Sequence, residues 1–206
     1  MTEGRRPVIS PRKQPRQARS TRLVADILEA ATRVLVREGA RRFTTARVAE
    51  RAGISVGSLY QYFPNKEAIL FRLQAQEWRQ TLDGLERILC DSNREPLERL
   101  RAAVREFFRS ECEEAAFRSA LEEAAPLYRE APEARTHAEE GRRLMERFMK
   151  EALPRATARD RAFAADLIGT VMSSVGKAVS SERRSLCEVD ELATAVGEMF
   201  SAYLKR

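Results

Sequence analysis

From Ser20 almost to its C-terminus, the sequence repeats apolar residues at the spacing of an amphipathic α-helix. The first such stretch places six of them on one face through i, i+3, i+4 and i+7 steps: Val24, Ile27, Leu28, Ala31, Val34 and Leu35. Alternating Val/Ile/Thr runs and Asn-Gly or Asp-Gly turns, the usual strand signals, are absent from the sequence. The pattern predicts an all-α protein of about nine helices.

Helix-breaking residues set the first boundaries. Gly39 stands where the first helix should stop, Gly53 ends a second helix over 45–52, and Pro64 halts a third over 55–63. Capping residues precede the second, third and fourth helices: Thr44 or Thr45, Ser55 and Asn65. Further helices are predicted at 96–113, 116–129, 132–152, 158–181 and 188–205.

The positive charge of the chain is concentrated at its N-terminal end. Residues 1–72 hold 15 Lys and Arg against 6 Asp and Glu, whereas residues 73–206 hold 22 against 25. Such a local positive field attracts polyanions, so nucleic acid is the first partner to consider and an anionic membrane surface the second. Residues 1–20 contain three prolines and few apolar groups, and they are expected to form a disordered basic arm.

Membrane insertion, disulfide bonding and catalysis are not indicated. No run approaches the length of a membrane span and no signal peptide is recognisable, so a cytoplasmic location is expected. Three cysteines, Cys90, Cys112 and Cys187, are odd in number and far apart. The single histidine, His137, cannot complete a zinc site alone, and nucleotide-binding and zinc-protease motifs are missing. We expect no catalytic residue, no metal and no cofactor other than a small effector.

The segment AGISVGSLYQYFPNK, residues 52–66, is the least core-like helix of the chain. On a wheel of about 100° per residue, Leu59 and Phe63 fall together with Val56 beside them, which predicts a buried face. The opposite face is small and polar and consists of Gly57 and Gln61, flanked by Ser58 and Tyr60. Together with the helix at 45–52, this segment is typical of a helix-turn-helix, whose second helix enters the DNA major groove.

Side-chain chemistry divides the expected DNA contacts between bases and phosphates. Gly57 and Ser58 leave the tip of the helix open, and Gln61 carries the donor and acceptor that can read a base edge. The tyrosine hydroxyls and Lys66 can reach phosphate oxygens, which fixes the register without reading the sequence. A packed helical corner with exposed tyrosines is the structural alternative.

The segment FTTARVAERAGISVGSLYQYFPNKEAIL resembles the DNA-binding segment of the TetR family of bacterial transcriptional repressors. The matching positions are Thr45, Val48, Ala49, Ala52, Gly53, Ile54, Ser55, Gly57, Leu59, Tyr60, Tyr62, Phe63, Lys66, Glu67 and Leu70. Leu70 falls one residue later than in the tightest form of the pattern. The resemblance covers residues 22–70, about a quarter of the chain.

The resemblance implies a role for each polar residue of this segment. Thr45 and Arg47 would meet the DNA backbone at the start of the second helix, where free backbone N–H groups also favour an anion. The residues that would approach bases are Gly57, Ser58 and Gln61. The residues that would hold phosphates are Tyr60, Tyr62 and Lys66, although Tyr62 borders the inward face of the wheel.

The helix-turn-helix domain is expected over 21–67 and a larger helical domain over 68–206. By resemblance, the larger domain binds a small effector and dimerises through its last two helices, 158–181 and 188–205. Both helices are apolar on more than one side, which favours burial against a partner. A two-fold dimer would match a palindromic operator on double-stranded DNA. A monomeric helix bundle is the alternative.

Aromatic and methionine side chains of the larger domain are candidates for lining an effector pocket: Trp78, Phe107, Phe108, Phe117, Tyr128, Met145, Phe148 and Met172. Each is equally an ordinary core residue, so no effector-binding residue is assigned. The expected function is a dimeric, sequence-specific transcriptional regulator, a repressor that a small molecule releases from its operator. The alternative is a DNA-binding regulator that a protein partner or thiol oxidation switches.

Overall fold

The computed structural model describes Ile9 and residues 18–128, 132–182 and 184–205. Within these residues the secondary structure is nine α-helices and one 3₁₀ turn, without a strand, which confirms the all-α class. The helices are α1 (Ala18–Arg42), α2 (Thr45–Ala52), α3 (Val56–Tyr60), α4 (Lys66–Leu89), α5 (Pro96–Glu113), α6 (Ala115–Ala124), α7 (Pro132–Ala152), α8 (Ala158–Ser181) and α9 (Leu186–Leu204), with the 3₁₀ turn at Ala125–Leu127.

The expected basic arm over residues 1–20 lies mostly outside the described residues. Two described parts of it differ from the expectation. Ile9 is buried in a hydrophobic core, and α1 begins at Ala18, two residues before the predicted start at Ser20. Near its other end, α1 kinks at Gly39, whose φ of 74° lies in the left-handed region that glycine tolerates. The helix then resumes and ends at Arg42.

The caps predicted for α2, α3 and α4 are present. Thr44 rather than Thr45 caps α2, Ser55 caps α3, and Asn65 caps α4. In each case the side-chain oxygen accepts a hydrogen bond from the backbone N–H three residues later, at 3.3, 3.1 and 2.8 Å. Gly53 ends α2 with a φ of 68°, as expected for a glycine that follows a helix.

The chain divides into two compact units, and neither is continuous in sequence. The first contains the residues up to Glu77 together with 116–135, and the second contains 78–115 together with 136–206. In the core of the first unit, residues of α1–α4 pack with Leu121, Ala124 and Tyr128. α6 and the turn after it therefore complete the core around the helix-turn-helix, whereas the predicted division placed them in the larger domain.

A buried polar network joins α4 to α6 inside the first unit. The amide of Gln74 donates to a carboxylate oxygen of Glu77 at 2.9 Å, and the hydroxyl of Tyr128 donates to the Gln74 carbonyl oxygen at 3.2 Å. The other carboxylate oxygen of Glu77 lies 3.1 Å from a guanidinium nitrogen of Arg118. Because Glu77 is only 5% exposed, this ion pair supplies the counter-charge that a buried carboxylate requires.

The second unit packs α5 against α8 and α9. Its buried Arg99 donates to the carbonyl oxygen of Leu89 at 2.6 Å and to the carboxylate of Glu151 at 2.7 Å. The first bond satisfies a backbone carbonyl at the end of α4 that has no partner within its own helix. On α8, Gly176 allows a close approach, since a Cβ there would stand 2.7 Å from Cε1 of Phe107.

Contrary to the expectation from sequence, α8 is long and apolar enough to cross a membrane by length and composition. Core helices of soluble proteins pass the same test. Five of its side chains are buried in the core of the second unit: Ala164, Ala165, Ile168, Met172 and Val179. One side of α8 thus belongs to the core of the second unit, and one third of its apolar window is buried in the isolated chain.

Candidate nucleic-acid interface

The recognition helix of the helix-turn-helix, α3, is shorter than predicted. It spans Val56–Tyr60 rather than 55–63, and one further turn follows, in which the N–H groups of Tyr62 and Phe63 both donate to the Leu59 carbonyl at 3.0 Å. Pro64 limits any continuation of the helix, because it disfavours the helical conformation for Phe63 directly before it. Leu59 and Phe63 are 0% and 1% exposed, which confirms them as the inward face.

Val56 is not part of that inward face. Its side chain is 39% exposed, so the prediction that it is buried beside Leu59 is wrong. Val56 is the first residue of α3, directly after the Ser55 cap, and no earlier turn of the helix covers it. The wheel missed this because it treats every position as the middle of a long helix.

The polar residues predicted to face DNA lie at the surface. Gly57 and Gln61 are exposed, Tyr60 is 38% exposed, and Ser58 is half-buried. A Cβ at Gly57 would meet nothing closer than a hydroxyl oxygen at 3.8 Å, so the fold itself does not require glycine at this position. The room in front of α3 is therefore free for another molecule.

Two hydroxyl groups bridge the helices of the motif. Oγ1 of Thr45, at the first residue of α2, lies 3.2 Å from the phenolic oxygen of Tyr60, at the last residue of α3. The bond is exposed, and each hydroxyl keeps capacity for a further hydrogen bond. The structure thus brings together two residues that the sequence assigned separately to the DNA backbone.

Tyr62 differs from the other predicted phosphate contacts. It is 7% exposed and belongs to the core of the first unit. The reason is the turn after α3, which brings Tyr62 onto the same side as Leu59, three residues earlier. Its ring is therefore a core ring, in agreement with its place at the border of the inward face, and this burial argues against the phosphate contact that the resemblance implies.

Arg47 and Lys66 stand at the first turns of α2 and α4. The Arg47 guanidinium pairs with the carboxylate of Glu38 and donates to the Arg42 carbonyl oxygen at 3.2 Å. Lys66 is the first residue of α4 and is half-buried, and within the described chain it makes no ion pair. The start of α4 also presents backbone N–H groups that favour an anion.

Sequence reasoning missed an arginine-rich groove on the other side of α2. It has a volume of about 710 Å³, and its lining includes Arg33 and Arg37 of α1 and Arg47 and Arg51 of α2. The sequence does contain a signal for this groove. Arg33 and Arg37, like Arg47 and Arg51, have the i, i+4 spacing that places two side chains on one face of a helix.

A small cavity with a volume of about 80 Å³ lies in the second unit. Gln80, Thr81, Gly84, Leu85, Glu106, Phe107, Ser110 and Glu114 line it. Of the eight candidate pocket residues, Phe107 alone lines this cavity. Phe108, Phe148 and Met172 are buried in the core of the second unit, and Tyr128 is buried in that of the first.

Metal binding and thiol chemistry were also considered for this chain. In the parts of the chain that the structure describes, no group of three or more His, Cys, Asp or Glu residues is placed to hold a metal ion. All three cysteines are free: Cys90 and Cys187 are exposed and Cys112 is half-buried. Burial raises the pKa of the Cys112 thiol, and Glu111 raises it further.

Comparison with curated proteins finds partial relatives. The chain is 33% identical over 60 residues to the fatty acid metabolism regulator protein of Bacillus subtilis, a match that covers 29% of this chain and 31% of that protein. It is 32% identical over 93 residues to the nucleoid occlusion factor SlmA of Vibrio vulnificus, covering 45% of this chain and 44% of that protein. The matches thus span less than half the length of either relative.

Solved structures and family models cover much more of the chain. A structure described as a TetR-family transcriptional regulator from Mesorhizobium loti superposes with a TM-score of 0.71 at 22% identity, covering 91% of this chain and 98% of that one, and shows the same fold. A family model described as bacterial regulatory proteins, tetR family, matches residues 27–73, and one described as tetracyclin repressor-like, C-terminal domain, matches residues 95–206. The chain therefore belongs to the TetR family of DNA-binding transcriptional regulators.

Proposed function

We propose that this regulator is a cytoplasmic repressor that binds a palindromic operator as a homodimer and leaves it when a small molecule binds its second unit. The observation that carries the proposal is the division of α3 between two faces. Leu59 and Phe63 are buried, while Gly57, Tyr60 and Gln61 face solvent. A surface helix with this composition suits the major groove, where small residues permit close approach and an amide reads base edges.

The base contacts are assigned to the tip and the exposed side of α3. Gly57 and Ser58 let the duplex approach, and Gln61 offers its amide to a base. Thr45 and Tyr60, whose hydroxyls meet at the surface, are assigned to phosphates, as are Arg47 and Lys66, the cations in the first turns of α2 and α4. Tyr62 supports this surface from the core.

Exposed apolar residues on α8 and α9 support dimerisation through these two helices. Phe163 is 62% exposed, Leu186 63% and Met199 51% in the isolated chain. Contiguous exposed apolar patches mark protein–protein interaction sites, and we propose that these three side chains belong to such a patch. A two-fold pair places two copies of α3 on one face of the duplex, at a separation of about one helical turn or more.

An effector site is proposed where the 80 Å³ cavity lies in the second unit. That volume is about two or three water molecules, whereas small-molecule pockets hold roughly 300–1,000 Å³. An effector would therefore have to displace a side chain, and Phe107 is the bulkiest group of the lining. Phe107 also packs closely on Gly176 of α8, so its movement would change the packing of a proposed dimer helix.

The DNA-binding proposal can be tested by selection from a random duplex library. The full chain is expected to enrich an inverted repeat, and sedimentation is expected to show a dimer, free and bound to DNA. A Gln61→Ala variant should enrich a relaxed or altered repeat. Enrichment of no sequence at all, by a folded and dimeric protein, would overturn the operator assignment.

Release by a small molecule requires a separate test. The selected duplex, labelled and bound to the protein, is titrated with fractions of a metabolite extract, and Phe107→Ala serves as the pocket variant. We expect one fraction to release the DNA from the wild type at a concentration that Phe107→Ala shifts at least several-fold. If the same metabolite concentration releases the DNA from both proteins, the effector does not bind in this cavity.

The exposure of Cys90 and Cys187 favours a second candidate function, in which oxidation of a thiol releases the DNA. Cys112 is the weaker candidate because its raised pKa disfavours the reactive thiolate. The two mechanisms separate cleanly. Release by peroxide that Cys90→Ser or Cys187→Ser abolishes would establish the thiol switch, whereas release by metabolite in the triple serine variant would exclude a need for it.

A further inference from the structure

We propose that the groove between α1 and α2 is a second phosphate-binding surface, which holds the DNA backbone beyond the contacts made around α3. The groove is lined by Arg33, Val34, Arg37, Glu38, Arg47, Glu50 and Arg51 and has a volume of about 710 Å³. We call it the arginine groove. This inference rests on the proposed DNA binding and extends the phosphate contact of Arg47 to Arg33, Arg37 and Arg51.

The charge of the arginine groove suits a polyanion. Four guanidinium groups face two carboxylates in its lining. Arg33 is paired with Glu29 along α1, whereas Arg37 and Arg51 make no ion pair within the described residues. A guanidinium without a partner presents its full fork of donors, the geometry that phosphate oxygens accept most readily.

The position of the arginine groove relative to α3 follows from the α2 helix. Arg47 comes two residues after Thr45, about 200° around the helix, so the groove opens on the opposite flank from the Thr45–Tyr60 bond. In helix-turn-helix complexes the first helix crosses the DNA backbone. Phosphates can therefore meet both flanks of α2, with Thr45 on one side and Arg47 and Arg51 on the other.

Glu38 is the internal competitor for this surface. Its carboxylate pairs with Arg47, whose guanidinium also donates to the Arg42 carbonyl oxygen at 3.2 Å. The two side chains are 45% and 35% exposed, and an ion pair in such solvent contact is weak. A phosphate can therefore displace the carboxylate, while the bond to Arg42 keeps the guanidinium at the groove. Glu38 in this way lowers the affinity for DNA and keeps the Arg47 guanidinium at the groove, where a phosphate can bind it.

The test measures binding of a mixed-sequence duplex of about 30 base pairs, roughly three helical turns, to the full chain over a range of salt concentrations. Arg37→Gln and Arg51→Gln are each expected to weaken binding about three- to tenfold and to reduce the salt slope by about 0.9. Arg87→Gln, on the exposed surface of α4 in the second unit, removes the same charge as a control and should change neither quantity.

Glu38→Gln is expected to change the DNA affinity in the opposite direction. Loss of the internal competitor should tighten binding about two- to fivefold, the range expected for a weak exposed pair. Glu98→Gln, on the exposed surface of α5, is the matched control and should leave the affinity unchanged. Equal effects of the two glutamate variants, or arginine variants that behave like Arg87→Gln, would overturn the assignment of the arginine groove.

The outcomes also separate this inference from the proposed function. If the wild type does not bind the duplex, DNA binding itself fails. If it binds in a manner that depends on Lys66 but not on Arg37 or Arg51, the groove alone fails. Tripolyphosphate distinguishes the phosphate source, because its binding to the wild type but not to Arg37→Gln, with DNA affinity unaffected, would assign the groove to a free phosphorylated molecule and overturn its assignment to DNA.

Discussion

The hydroxyl oxygen of Thr45 lies 3.2 Å from that of Tyr60, which ties the first residue of α2 to the last residue of α3. Both side chains reach the surface, so neither hydroxyl needs this hydrogen bond to compensate for burial. The bond holds two phosphate-directed hydroxyls in a fixed relation before any duplex arrives. Fixing the geometry in advance lowers the entropic cost of binding.

Tyr60→Phe tests this relation because it removes one oxygen and keeps the ring. We expect DNA affinity to fall about three- to tenfold, the loss of roughly one hydrogen bond, with unfolding unaffected within about 0.5 kcal/mol. Tyr62→Phe, whose ring is in the core, should leave the affinity unchanged. Fluorescence anisotropy measures both, and a larger loss in Tyr62→Phe than in Tyr60→Phe would return Tyr62 to the contact surface.

Lys66 and Gln61 should separate non-specific from sequence-specific binding. Lys66→Ala should weaken operator and mixed-sequence DNA alike and reduce the salt slope by about one unit, because a phosphate contact carries no sequence information. Gln61→Ala should instead weaken the operator by about 1–3 kcal/mol and leave mixed-sequence DNA nearly unchanged. If Gln61→Ala lowers affinity equally for all sequences, Gln61 does not read a base.

Two glycines of the motif predict opposite effects of alanine on folding. Gly53→Ala places a side chain at a φ of 68°, so urea unfolding should show a loss of about 1 kcal/mol, although nothing lies within 4 Å of the new Cβ. Gly57→Ala should instead stabilise α3 slightly, by about 0.5 kcal/mol, and weaken DNA binding about tenfold. A destabilised Gly57→Ala protein would show that this glycine serves the fold.

The buried pair between Arg118 and Glu77 predicts a large stability effect far from the interface in sequence. Arg118→Met leaves a carboxylate that is 5% exposed without its cation and should cost about 3 kcal/mol in urea unfolding. The double variant Arg118→Met/Glu77→Gln should recover most of that loss. Arg142→Met, which breaks the exposed pair with Glu146, should cost less than about 0.5 kcal/mol. Equal costs at the two sites would contradict the buried geometry.

The start of α9 predicts a dependence of stability on acid. The backbone N–H and the hydroxyl of Ser185 donate to the Glu188 carboxylate at 2.7 and 2.8 Å, and these bonds lower the pKa of Glu188. A carboxyl with a lowered pKa in the folded protein stabilises it above its unfolded pKa, and this contribution is lost as the pH falls through the folded value. Between about pH 5 and pH 3, the unfolding temperature of the wild type should fall more steeply than that of Glu188→Gln.

Local signals explain why much of this structure could be predicted. Capping and helix-breaking residues act within one turn of the chain. Gly53, Ser55 and Asn65 therefore predicted the end of α2 and the starts of α3 and α4 correctly. The spacing of Leu59 and Phe63 gave the buried side of α3 for the same reason. These features depend on neighbours a few residues away, which the sequence contains.

The features that were missed depend on contacts between distant residues or on the ends of short elements. The buried polar network joins segments some forty to fifty residues apart, linking Gln74 and Glu77 to Arg118 and Tyr128. The periodicity of the sequence carries no information about such a long-range contact. Val56 was misplaced because a five-residue helix has no interior. Tyr62 was assigned to a phosphate by resemblance, although the wheel placed it at the border of the inward face, where the structure buries its ring. The arginine groove needs two helices side by side before its charge is apparent.

The discontinuous first unit has a consequence for building hybrid regulators. A chimera that joins residues up to Glu77 to the remainder of a related protein would discard Leu121, Ala124 and Tyr128, and would leave the carboxylate of Glu77 facing a foreign α6. A transplant that also carries residues 116–128 keeps that interface intact. The exchangeable module for new operator specificity is thus two pieces of chain, and recombination between relatives must preserve both.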